Sequence, residues 1–162
     1  MDLERELRRH QNTLIIIGLG VIAFGIWSII KMVMLLLLAP DTLFELMAPK
    51  TETEVSKQTM MIIVVSLVAF FLLIDLALRL YVGRSAIREA RTGKKRITYL
   101  IIAGLIAALN ASSLSTPFIY GTQYYLSGLD MVVTFLIDLT SFIVLIELIR
   151  SGVKVRQLRK EA

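Results

Sequence analysis

The residues of this chain that could do chemistry are the acids and bases set inside long apolar runs. Asp138 lies in the run 129–149, with Asp130, Thr134 and Ser141 on the same side of a helix and Glu147 near its end. Lys31 interrupts the run 13–38, and Asp75 and Arg79 come near the end of the run 59–80. A lone carboxylate at a bilayer centre costs about 2.5–3.5 kcal/mol on insertion scales, so Asp138 must be protonated, reach water or meet a cation. Lys31 is the natural partner, because rises of 1.5 Å per residue from the outer helix ends bring the two depths within about 3 Å. Such a pair would either lock two helices together or line a proton or ion path, with Asp75 and Glu147 as further relays. Lys31 has a second reading, in which it marks the outer end of its span and extends its stem to the interface. Asp75 with Arg79, and Glu147 with Arg150, have the spacing of charge pairs on one helix face.

These residues must be positioned by membrane helices. Of 162 residues 56 % are hydrophobic and 19 % charged, and the mean hydropathy is +0.74, which is beyond the apolar share of ordinary soluble domains. A helix needs about 20 apolar residues to cross a hydrocarbon core of about 30 Å. Four runs meet or approach this: 13–38, 59–80, 97–114 and 129–149. The expected fold is all-α, an antiparallel four-helix membrane bundle forming a single domain over 1–162. A basic connector, 81–96, joins two helical hairpins, and a basic tail, 150–162, follows the last helix.

Orientation follows from the distribution of Lys and Arg, which collect in short cytoplasmic loops. Of the 18 such residues, 15 flank the start of the first run, the 81–96 connector or the end of the fourth run. Both termini are therefore expected in the cytoplasm of a multi-pass protein, and the absence of cysteine fits a bacterial cytoplasmic membrane. The net charge of +5 then signals topology and attraction to anionic lipids at the cytoplasmic face. Nucleic acid is not an expected partner, since few aromatic residues interleave with the bases.

Other features exclude whole classes of chemistry. Zero cysteines rule out disulfides, thiolate metal sites and cysteine-linked lipid anchors. One histidine, His10, rules out a bis-histidine haem or a histidine-cluster metal site, so no metal or cofactor is expected. The apolar stretch Leu14–Ile30 exceeds the roughly 7–15 residues of a signal peptide and reads as a retained helix. An intramembrane aspartyl hydrolase needs two facing carboxylates, and the motifs of the small signal peptidase that trims lipoproteins do not surround Asp75, Asp130 or Asp138.

Small residues indicate where helices meet. Gly18 and Gly25 share one face of the first helix, and Gly104, Ala107, Ala108 and Ala111 share one of the third. Such faces suit helix packing, a homo-oligomer or a membrane-protein partner. A faint echo between Leu14-Ile-Ile-Ile-Gly18-Leu and Leu100-Ile-Ile-Ala-Gly104-Leu fits a parallel duplication. Leu43, Phe44, Leu46 and Met47 beside Asp41 and Glu45 suit a short interfacial helix or a solvated loop. Phe118, Tyr120, Tyr124 and Tyr125 suit a headgroup-level aromatic belt or a ligand-binding lip. The connector is expected to be helical up to Gly93. The functional expectation is a non-catalytic accessory or regulatory membrane component. The alternative is a small proton- or ion-coupled transporter or channel subunit using Asp138 and Lys31.

Overall fold

The structure is a computed structural model, and it describes residues 2–38, 54–93, 97–120 and 128–161. Those residues form four helices, α1 (Asp2–Leu38), α2 (Glu54–Thr92), α3 (Thr98–Tyr120) and α4 (Gly128–Glu161). All four are long and apolar enough to cross a membrane. The interfacial-helix segment at 40–53, Lys94 to Arg96, Tyr124 and Tyr125 lie outside the described residues, as do the side chains of Phe118, Tyr120 and Asp130.

The helices outrun the apolar runs. α1 includes the charged N-terminal segment, and α2 continues through the basic connector to Thr92. α2 stops where expected, because Gly93 adopts a left-handed φ of 74° and donates its N–H to the Glu89 carbonyl at 3.0 Å. That is the single-bond left-handed cap in which a residue without Cβ closes the helix. α3 runs past Leu114, where the third apolar run ends. The hydroxyls of Ser112 and Ser113 turn back onto the Leu109 carbonyl and that of Ser115 onto Ser112, so these serines bond within the helix instead of ending it.

α2 packs on α1, α1 on α4 and α4 on α3, with a lighter contact between α3 and α2. Gly18 of α1 faces Gly83 and Ala86 of α2, and Gly25 faces Leu76 and Arg79, so contacts advance along α1 as they retreat along α2. The core gathers where α1 begins, α2 ends, α3 begins and α4 ends. Leu14, Val21, Val82, Ala86, Tyr99, Ala103, Leu148 and Val155 are buried there. Glu6 lies 3.8 Å from Lys154, which brings the beginning of α1 and the end of α4 together. We call this the basic end. Toward the other end Val33, Met34, Leu37, Ile62, Ile63, Leu67, Val132 and Val133 are exposed.

Two packing expectations change. Gly18 and Gly25 are contact points as expected, but Gly104 has no atom within 4 Å of an added Cβ. Ala108 and Ala111 are exposed, and α3 instead buries Tyr99, Ala103, Ile106 and Ala107. The second correction concerns residues 150–162, where Ser151, Gly152, Val155 and Leu158 are buried in the bundle. Ser151, Val155 and Leu158 recur at four- and three-residue intervals with Gly152 beside them, so the basic tail is an amphipathic continuation of α4.

Candidate functional site

Midway along the helices, polar side chains from α2, α3 and α4 meet at the limit of the core. On α2, Arg79 reaches back one turn, and its Nε donates to Asp75 Oδ2 at 2.8 Å. The acid stands four residues before the base, the favourable order for such a pair. Arg79 is buried, and its Nη1 donates to Ser141 Oγ of α4 at 3.0 Å. The same oxygen accepts from Asn110 Nδ2 of α3 at 3.2 Å. One hydroxyl thus joins three helices. Away from the basic end, Lys31 Nζ of α1 donates to Thr134 Oγ1 of α4 at 2.6 Å.

Asp138 lies between Thr134 and Ser141 on the same stripe of α4. The cations whose charge reaches it are Lys31 and Arg79. The expected Lys31–Asp138 contact is absent, since no ion pair within 4.0 Å joins them and Lys31 is bonded one turn away at Thr134. Thr134 and Asp138 share a face of α4, so the difference is one of depth: Lys31 meets α4 one turn, about 6 Å, further from the basic end than Asp138. Asp75 and Arg79 form their expected pair. Among the described residues, Glu147 and Arg150 form no ion pair. The two acids Asp75 and Asp138 balance the two bases Lys31 and Arg79, so this level carries no formal net charge.

A second cluster, at the basic end, centres on Glu89. Its side chain is 1 % exposed, and Arg156 of α4 grips it with both arms, Nε to Oε1 and Nη2 to Oε2, each at 2.7 Å. Paired parallel bonds of this kind are the strongest carboxylate contact that arginine makes. The guanidinium also lies 5.7 Å from the centre of the Tyr99 ring, within cation–π reach. Gly152 makes room for that ring, since a Cβ there would sit 2.8 Å from the Tyr99 hydroxyl. Arg159 Nη2 reaches the carbonyls of Glu89 and Ala90 at 3.2 and 3.4 Å. A cation placed there adds a donor to carbonyls of the last turn and offsets the negative end of the α2 dipole. Sequence reading missed this cluster. Its signal was one acid, Glu89, in a connector otherwise filled with cations.

Arg84, Arg88 and Arg91 form a contrasting set. They are exposed on α2 and line a groove of about 940 Å³ with Ala77, Leu80 and Tyr81. No protein-family model, curated protein or solved structure matches this chain.

Proposed function

We propose that the protein is a non-catalytic accessory or regulatory component of the cytoplasmic membrane. It would be an antiparallel four-helix bundle with both termini and the basic end in the cytoplasm. The opposed order of contacts between α1 and α2 supports the antiparallel arrangement, and the clustering of cations at one end supports the orientation. The observation that carries the functional reading is the bonding of the mid-bundle cations. Arg79 is held by Asp75 and Ser141, and Lys31 by Thr134. Groups so engaged hold helices together, and their exchange with a passing ion would break bonds between helices. The exposed cations at the basic end remain for anionic lipid or an acidic surface of a partner.

One observation favours the transport alternative. Asp138 lies where the core has ended, between two cations and without an ion-pair partner of its own among the described residues. Flux measurements separate the two readings. In proteoliposomes under a proton or cation gradient, the accessory reading expects no flux above that of empty vesicles, for the parent protein and Asp138→Asn alike. A robust flux abolished by Asp138→Asn overturns it in favour of transport. After mild solubilisation from native membranes, the accessory component should migrate with a different membrane protein.

A further inference from the structure

Fourteen of the 18 Lys and Arg residues lie near the basic end in sequence, with Arg79 just inside them, yet they do not all act alike. Arg79, Arg156 and Arg159 turn inward onto Asp75, Glu89 and the end of α2. Arg84, Arg88 and Arg91 do not. They are exposed, make no ion pair among the described residues and share the groove along α2. At 100° per residue, Ala77, Leu80, Tyr81, Arg84, Arg88 and Arg91 fall within an arc of about 100°. Along that arc the chemistry is graded from aliphatic residues through a tyrosine ring to three guanidiniums. The same order is met in an amphiphile lying along the membrane normal, from acyl chain through interface to charged headgroup. The arginines extend over about 10 Å of helix axis, more than one phosphate spans, and guanidinium is the side chain suited to two-pronged phosphate binding.

We propose that this groove of α2 is a binding site for an anionic phospholipid whose headgroup carries two phosphates. Arg84, Arg88 and Arg91 hold the phosphates, Tyr81 sits at the glycerol level, and Ala77 and Leu80 receive the start of an acyl chain. Inorganic phosphate shares the headgroup chemistry but lacks the acyl chain. The site rests on the proposed membrane placement, with the basic end at an anionic leaflet. Each cation at such a surface contributes roughly a fivefold gain in affinity, so removing three costs roughly 100-fold.

The test measures lipid binding to the purified full-length protein by native mass spectrometry from neutral detergent. The lipids are a zwitterionic one, a singly anionic one and a two-phosphate one, with inorganic phosphate as competitor. The two-phosphate lipid should bind at least tenfold more tightly than the singly anionic lipid. R84Q/R88Q/R91Q should lose that preference, while R5Q/R150Q, which removes exposed cations outside the groove, should keep it. Inorganic phosphate should not compete at concentrations equal to the lipid. Equal binding of both anionic lipids, an unchanged preference in the triple variant, or displacement by inorganic phosphate would each overturn the site. Both proteins are also reconstituted into neutral vesicles and washed with alkaline carbonate. If they are retained while the lipid preference is missing, the groove fails and the membrane reading stands. If both are washed off, the two fall together. An unaltered thermal transition in the triple variant confirms that lost binding reflects the groove and not the fold.

Discussion

At the scale of single residues, the decisive distinction is between charges that have a bonded partner inside the bundle and charges that do not. Glu89 is buried with both carboxylate oxygens on Arg156. Removing Glu89 leaves the part-buried Arg156 without its carboxylate, so Glu89→Gln should lower unfolding free energy by about 1–3 kcal/mol. Replacing both with methionine should recover most of that loss, since two apolar residues of similar volume are often no worse than the pair. Denaturant titrations in mixed micelles measure both, and a double variant as unstable as the single one would refute the argument. Ser141 tests the other cluster. Ser141→Ala removes the acceptor shared by Arg79 and Asn110, and with interhelical hydrogen bonds averaging about 0.6 kcal/mol each it should cost about 1–2 kcal/mol. Thr140→Ala should be nearly neutral, because the Thr140 hydroxyl bonds only to its own helix, at the Leu136 carbonyl. The stripe of Thr134, Asp138 and Ser141 was legible from helical periodicity. The partners of its members were not, because the rotation of one helix against another and the shift between their axes both follow from packing: Lys31 meets Thr134, one turn from Asp138 on the same face.

At the scale of elements, packing depends on where backbones approach. The α1–α2 crossing is tightest at Gly18 and Gly83, where a Cβ on Gly83 would sit 2.5 Å from the Gly18 carbonyl oxygen. A backbone atom cannot swing aside as a side chain can, so Gly83→Ala must separate the helices. A cost of about 1–3 kcal/mol is expected. Gly104→Ala provides the opposite case. Its Cβ meets nothing within 4 Å, and the gain of helix propensity should raise stability by about 0.5–1 kcal/mol. Melting of the two variants in the same micelles should therefore move in opposite directions, and destabilisation by both would show that the local packing has been misassigned. Gly18 was readable as a contact from its spacing to Gly25, whereas Gly83 was hidden in a connector dominated by charge. The length of α4 was hidden in the same way. Lys154, Arg156, Arg159 and Lys160 mask an apolar stripe of Leu148, Val155 and Leu158, because hydropathy sums over all sides of a helix and periodicity selects one.

At the scale of the whole molecule, burial and charge are polarised in the same direction. The core lies toward the basic end, and the mid-bundle polar groups mark its limit, with Gly25, Arg79, Ala107 and Ser141 the last buried positions on their helices among the described residues. Inverting the molecule in a bilayer would carry Arg84, Arg88, Arg91, Arg150 and Lys160, all exposed, to the opposite surface. It would also exchange an anionic leaflet for a less charged one, at about 1 kcal/mol per cation. The orientation should therefore be single. With no native cysteine, introduced thiols report it without background. In intact cells, a membrane-impermeant maleimide should label Thr51→Cys, in the segment between the first two apolar runs, and spare Glu4→Cys and Lys160→Cys. Permeabilising the cells should expose the latter two. Labelling of Glu4→Cys or Lys160→Cys in intact cells would place the basic end outside. Because the two proposals draw on that end, the lipid groove and the docking of a partner from the cytoplasm would then both lose the surface on which they depend.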